Sequence, residues 1–344
     1  MIPIKNIYHM LSYAFQTLQS QGYKKLETEE FSSAADLLAA ILIRGVELQL
    51  KQGLGRAYIE ETESLKALRG RIRMTESMKA MSLQRGQMIC TYEVFSEDSI
   101  LNRIIKSTLL LLLRAQITKE RKNKIKKLLV YFSEIREIDL YSVNWQIQFN
   151  RNNQGYRMMI GICQLVVKGL LQTQKDGSIR LMDFLDEQRM CRLYEKFILE
   201  YYRKEHSELK ASASQIDWAT DDEYQEMLPI LQTDITLEKE DGILIIDAKY
   251  YENILQSRYE SQSVRSANLY QIFTYVKNRQ AKEVNRKVAG MLLYAATDEG
   301  LQPDYKYSLS KNRITVRTLN LNCDFPEIRK QLDQIADEMS YWRS

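Results

Sequence analysis

Proline and glycine are scarce in this chain, at 4 and 13 of 344 residues, against usual shares of about 5% and 7%. That argues against Gly/Pro-rich linkers, collagen-like repeats and turn-dense all-β folds, and favours a helix-rich α+β chain. Histidine is scarcer still, with only His9 and His206, which leaves little room for a Ser-His-Asp or Cys-His enzyme. The cysteines Cys90, Cys163, Cys191 and Cys323 form no CxxC pair. Zinc fingers, zinc hydrolases and haem attachment are therefore not indicated, and the pattern reads as reduced thiols in or near a core. Long apolar runs are missing too. The longest stretch without a polar side chain is 288–296, far short of the roughly 20 residues that span a bilayer. At the N-terminus, Pro3, Lys5 and Asn6 break up any signal-peptide layout, so a cytoplasmic protein is expected. No GxxxxGK[ST] loop occurs, so the chain is not expected to be a P-loop NTPase.

What is present is an ordinary globular mixture, 44% hydrophobic and 27% charged, which excludes disorder as the main state. The length suits about two domains of roughly 100–200 residues each. The most turn-like stretch in the middle is 173–180, TQKDGSIR. A boundary there divides the chain into 1–180 and 181–344. The net charge of +4 is too weak to name a partner by itself.

Apolar spacing predicts amphipathic helices over 6–20, 33–50 (with Ser33 as N-cap), 99–117, 154–171, 186–206, 264–279 and 326–342. Short strands are expected at 58–61 and 70–74, and longer ones at 227–237, 243–251, 288–296 and 313–320. In the second half, the order helix, strands, helix, strand implies an α/β or α+β core with a partly parallel sheet. The segment 118–127, TKERKNKIKK, has six basic residues and one acidic. Such a run commonly makes a solvated helix face. The functional alternative is a contact from Lys122 and Lys124 to phosphates or an acidic partner.

The chemically informative stretch is 229–249, PILQTDITLEKEDGILIIDAK. Residues two apart on a strand share a face, so Asp247 and Lys249 point the same way. They end a run of Ile and Leu, where charge is costly unless paired or metal-bound. Asp241-Gly242 is a strong hairpin signal. With that pair as a two-residue turn, Asp234 lies opposite Lys249. With a four-residue loop, Asp234 lies opposite Asp247. Either even loop puts Asp234, Asp247 and Lys249 on one face, and an odd loop turns Asp234 away. Two carboxylates and an ammonium suit phosphodiester hydrolysis: oxygen ligands for Mg²⁺, and a lysine to orient or deprotonate water and offset transition-state charge. A plain surface salt bridge is the alternative. On the following helix, Gln271 and Tyr275 share a face at i and i+4. Arg258 and Arg265 lie in the expected loop 252–267 and are candidates for phosphate or partner contact.

Asp234, twelve residues, Asp247-Ala248-Lys249 and then Gln271-x3-Tyr275 resemble the PD-(D/E)xK nuclease superfamily and its RecB-like branch. Pro229 stands five residues before Asp234, so the "P-D" dipeptide of that pattern is absent. A closer resemblance covers nearly the whole chain. The segments IPIKNIYHMLSYA from Ile2, NRIIKSTL from Asn102, LYEKF from Leu193, TDIT from Thr233, DAKYY from Asp247 and NLYQ from Asn268 are similar to McrC, the nuclease subunit of the McrBC modification-dependent (type IV) restriction system.

The resemblance implies an α+β N-terminal region, 1–180, that engages a McrB-like AAA+ GTPase ring and stimulates its GTP hydrolysis. It implies an α/β PD-(D/E)xK core in 181–344, a mixed sheet flanked by helices. Asp234, Asp247 and the Ala248 carbonyl would hold Mg²⁺, Lys249 would be the catalytic lysine, and Gln271 and Tyr275 would be accessory. The expected activity is Mg²⁺-dependent cleavage of double-stranded DNA carrying methylcytosine, with GTP used by the partner. The alternatives are an adaptor that mainly activates a GTPase ring, or a stand-alone RecB-like repair nuclease.

Overall fold

The structure is a computed structural model and describes residues 2–20, 23, 26, 28–171, 187–222, 226–251, 255–258, 261–283, 285–296 and 302–340. The turn-like stretch 173–180 lies outside the described residues. The chain forms two compact units, Ser32–Asp183 and a second that joins Met1–Phe31 to Phe184–Ser344. The expectation grouped residues 1–31 with the N-terminal region. They pack instead with the C-terminal half. In that unit helix α1 (Ile4–Ala14) buries Ile7, Met10 and Leu11. The Tyr13 ring sits 5.6 Å from that of Phe197. The Asn6 amide donates to the carbonyls of Leu321 and Cys323 at 2.8 and 2.7 Å. The apolar stripe of α1 was legible, but a stripe does not say what covers it.

In the unit Ser32–Asp183, α2 (Ala34–Gln52) starts at Ser33, whose Oγ accepts the Asp36 N–H at 3.2 Å, the expected N-cap. β1 (Ala57–Leu65) pairs antiparallel with β3 (Met88–Ser96), and β2 (Arg71–Ile72) lies on the far side of β3. The short α3 (Met74–Lys79) joins β2 to β3. β1 is longer than expected, β2 is cut short where α3 begins, and β3 was not foreseen. Three helices complete the unit: α4 (Ile100–Arg114), α5 (Lys119–Leu129) and α6 (Tyr156–Leu171). Asp36, fully buried, accepts from Thr118 N–H and Arg121 Nη1, both at 3.0 Å. This buried pair ties α2 to α5. Removing one partner of such a pair typically costs about 3–5 kcal/mol.

The other unit continues with α7 (Glu187–Glu205), β4 (Gln215–Ile216), β5 (Leu231–Gln232), β6 (Ile235–Lys239) and β7 (Gly242–Lys249). After these come β8 (Leu255–Arg258), β9 (Ser261–Val264), α8 (Ser266–Lys282), β10 (Lys287–Ala295), β11 (Tyr305–Leu309), β12 (Asn312–Leu319) and α9 (Phe325–Ser340). The expected strand 227–237 is broken at Thr233-Asp234 into β5, which pairs with β4, and β6. The expected loop 252–267 contains the β8–β9 hairpin, and β11 was not foreseen.

The main sheet has the order β11-β12-β10-β7-β6. β10 runs parallel to both neighbours, and the outer pairs are antiparallel. This is the expected mixed sheet flanked by helices. β7 and β10 read as nearly continuous buried apolar runs, as strands covered on both faces do. On one face Ile272 and Val276 of α8 pack on Ile243, Ile245, Leu292, Ile314 and Val316. The opposite face carries Leu244, Ala289 and Met291 against Ile335 and Met339 of α9. No helix among the described residues is long and apolar enough to cross a membrane.

α8 can approach the sheet closely because position 290 carries no side chain. A Cβ on Gly290 would stand 2.7 Å from Ile272 Cγ1, 2.8 Å from Val276 Cγ2 and 2.9 Å from Ile314 Cδ1. Those atoms belong to stiff, buried β-branched side chains. Gly290→Ala is expected to lower stability by about 1–3 kcal/mol through overpacking. Urea unfolding measures this, and an unchanged midpoint would contradict the close approach.

Candidate active site

The hairpin of β6 and β7 positions the two aspartates. Lys239 pairs with Gly242, so Glu240-Asp241 form the loop. The Asp241-Gly242 turn is therefore corrected: Gly242 lacks the positive φ that such a turn needs and sits in the strand. The ladder ends at Ile235 opposite Ile246. The next positions in that register are Asp234 and Asp247, the alignment expected for a four-residue loop although this loop has two residues, and Asp234 itself sits in a bend just before β6. The loop is even, so the side chains of Asp234, Asp247 and Lys249 share a face.

Asp247 is fully buried. Neither carboxylate oxygen has a hydrogen-bond partner, although Lys249 Nζ lies 3.0 Å from Oδ1 as an ion pair. Burial pushes the carboxyl up to about 7, Lys249 pulls it down, and the charge of Asp234 raises it again. Asp234 is half-buried and is likewise raised by burial; Lys249 and the Ala248 N–H, 3.0 Å from its Oδ2, hold it down. Burial works against the ammonium of Lys249, but the two carboxylates outweigh it and keep the pKa above the usual lysine range. Lys249 Nζ also donates to Gln271 Oε1 at 3.3 Å, and Gln271 Nε2 donates to Tyr275 Oη at 2.9 Å. Asp234, Asp247, Ala248, Lys249, Gln271 and Tyr275 thus come together.

Lys122 and Lys124 lie on α5 in the unit Ser32–Asp183. Arg258 ends β8, and its side chain lies outside the described residues. Arg265 precedes α8, with its guanidinium 4.3 Å from the Tyr251 ring centre. Tyr251 Oη donates to Asn268 Oδ1 at 3.3 Å, and Asn268 Nδ2 donates to Tyr294 Oη at 2.9 Å. Tyr294 is the β10 residue opposite Lys249. His206 pairs with Asp333 and Glu208, away from the carboxylates.

The sequence reading missed Glu195 and Cys191 on α7. Burial raises the Glu195 carboxyl, and the charge of Asp234 adds to the rise. Cys191 Sγ donates to Glu195 Oε1 at 3.0 Å and lies 3.9 Å from the Ala248 carbonyl. Nothing in the spacing marked them. Glu195 appeared only as one of the two charged residues inside LYEKF, between the apolar positions that define the helix.

The donors offered to a cation are oxygens, two carboxylates and the Ala248 carbonyl, a set suited to a hard ion such as Mg²⁺. Among the described residues no three His, Cys, Asp or Glu side chains stand in ligand geometry. The buried carboxylate of Asp247, ion-paired with Lys249 beside a second carboxylate, is the feature a cation would satisfy.

A family sequence model described as McrBC 5-methylcytosine restriction system component matches residues 5–295. The chain belongs to this McrBC family. A relative, the Type IV methyl-directed restriction enzyme EcoKMcrBC of Escherichia coli (strain K12), is 30% identical over 343 residues, covering 98% of each chain. Among solved structures, the refined half-complex from a tetradecameric assembly of Thermococcus gammatolerans McrB AAA+ hexamers with bound McrC aligns over 98% of this chain and 76% of that one. Its TM-score is 0.54 at 18% identity, so that likeness speaks for the McrBC-family fold.

The raised pKa of Asp247 fixes a pH dependence. Folded Asp247 holds its proton more tightly than the unfolded chain does. Its contribution to stability is full below the unfolded carboxylate value of about 4. It is lost as pH rises toward about 7. In the metal-free protein Asp247→Asn is therefore expected to raise the melting temperature at pH 8 and to change it little at pH 4. Mg²⁺ should stabilise the wild type at pH 8, by about 2.7 kcal/mol at 100 times Kd, and leave Asp247→Asn unmoved. Differential scanning fluorimetry reads both effects, and equal Mg²⁺ shifts in the two proteins would contradict the assignment.

Proposed function

We propose that this chain is the DNA-cutting subunit of a GTP-dependent restriction complex. In this reading it is a Mg²⁺-dependent endonuclease, of PD-(D/E)xK type, acting on double-stranded DNA that carries methylcytosine. Its partner is a McrB-like AAA+ GTPase ring whose hydrolysis it stimulates. The observation that carries the nuclease part is Asp247, a buried carboxylate without hydrogen-bond partners, across from Asp234 and beside Lys249. The methylation and partner parts are supported by the family description, by the methyl-directed enzyme of E. coli and by the Thermococcus McrC bound to McrB hexamers. GTP belongs to the partner in this reading, since the chain has no P-loop motif.

Asp234 and Asp247 would hold the ion through carboxylate oxygens and Ala248 through its carbonyl. When bound, Mg²⁺ offsets phosphate charge and makes water a better nucleophile. The protein's own groups do the rest. The Ala248 N–H fixes Asp234. Gln271, itself held by Tyr275, aims the Lys249 ammonium. The two carboxylates keep that ammonium charged, so its role is to donate to the attacking water or a phosphate oxygen and to offset the charge that grows there. Ring engagement is proposed for the N-terminal region 1–180, of which residues 1–31 pack with the unit holding these side chains.

The test is cleavage of methylated and unmethylated plasmid with Mg²⁺, with and without GTP and the partner ring. Cutting is expected only with methylation, GTP and partner together. Asp234→Asn and Lys249→Ala are each expected to slow it by about 10²–10³-fold, the scale of losing one charge-stabilising group, while stimulation of GTP hydrolysis persists. Cutting by the chain alone would point to a free-standing nuclease. Faster GTP hydrolysis without any cutting would point to an adaptor.

A further inference from the structure

The basic helix α5 sorts its charges in a way the linear sequence does not reveal. Arg121, Ile125 and Leu128 are buried, and the Arg121 guanidinium is bound to Asp36. Glu120 is the only acidic residue of the helix, and it pairs with Lys124 at 2.7 Å. At 3.6 residues per turn these two lie together on one flank. The outward side carries Lys119, Lys122, Lys126 and Lys127 around the exposed Asn123. None of these four lysines is in an ion pair with a described residue. Lys124 therefore drops out of the expected contact, and Lys122 stays in it with three others.

We propose that this face is a sequence-independent contact for the phosphate backbone of double-stranded DNA. The proposal rests on the DNA-acting reading above. From Lys119 to Lys127 the helix rises about 12 Å, the axial length of about three phosphates on one strand at 3.4 Å each. Lysine is a compact, strongly hydrated point charge on a flexible stem. It is depleted at protein–protein interfaces, which favour aromatics, Met and Arg. A face of four lysines and one asparagine, without an arginine fork or an aromatic ring within it, suits phosphate oxygens better than an acidic protein surface. The exposed Val130 and Tyr131 lie just beyond the C-terminal end of the helix, where a protein partner would find apolar surface instead.

The experiment is fluorescence anisotropy of a labelled duplex with the full chain over a salt series. It compares the wild type, the fourfold variant Lys119→Gln, Lys122→Gln, Lys126→Gln and Lys127→Gln, and the pair Val130→Ser with Tyr131→Ser. The fourfold variant should bind more weakly. Its slope of log K against log salt should be shallower by about 3–4, since each lost phosphate contact removes about 0.9. The Val130/Tyr131 pair should bind as the wild type does. Replacing the four lysines by arginine should preserve the slope, and circular dichroism should show all variants folded. An unchanged slope in the fourfold variant, or no binding by the wild type at low salt, overturns the proposal. Loss of GTPase stimulation by the fourfold variant with DNA binding intact also overturns it, in favour of an acidic protein partner. Lysine-dependent binding with no cleavage under any condition would leave this surface standing and remove the nuclease reading.

Discussion

The site is organised around one costly placement: a carboxylate near the end of an inner strand, with no exposed surface and a lysine ammonium 3.0 Å from one oxygen. An ionised carboxylate in such surroundings needs a compensating charge or gives up its charge. Lys249 supplies part of the compensation, and its own burial is offset in return by Asp247 and Asp234. Asp234 makes matters worse for Asp247 by like-charge repulsion. A fold that only needed stability would not keep two carboxylates across from each other beside an apolar run. The arrangement is the kind that perturbs ionisation for a purpose.

The rest of the second unit holds that placement rigid. β7 lies between β6, which brings Asp234, and β10, which carries Gly290. The missing side chain at position 290 lets α8 settle on the sheet, and α8 delivers Gln271 to Lys249 and Tyr275 to Gln271. At the other end of the pairing, Asn268 bridges Tyr251 and Tyr294 beside the Lys249 position. α7 closes the cluster with Glu195 and Cys191. A polar network in which most members are satisfied can hold one unsatisfied carboxylate in place.

The long helices were legible because one apolar stripe at helical period is enough to mark them, and Ser33 announced the start of α2 by its type alone. β7 and β10 were legible as unbroken apolar runs. β3, β11 and the β8–β9 hairpin were not. The exposed or half-exposed faces of β3 and β11 leave little apolar alternation to read, as in the largely exposed β11. Asp241-Gly242 misled because a strong turn pair was taken in isolation, whereas the ladder beyond it sets the register. The site residues were legible only where charge interrupts an apolar strand, as at Asp247 and Lys249. Glu195 and Cys191 sit on a helix far away in sequence, and only tertiary packing brings them in. The pairing of Lys124 with Glu120 shows the same limit on the surface: six basic residues within ten positions are not six free charges.

The account stands or falls on whether a divalent cation occupies the space between the two aspartates. Anomalous scattering from a crystal of the full chain soaked in Mn²⁺ measures this directly. The account predicts a peak within ligand distance, about 2.1–2.3 Å, of carboxylate oxygens of both Asp234 and Asp247 and of the Ala248 carbonyl. A crystal that takes up Mn²⁺ elsewhere, or nowhere, while the two carboxylates keep their protein contacts would contradict it.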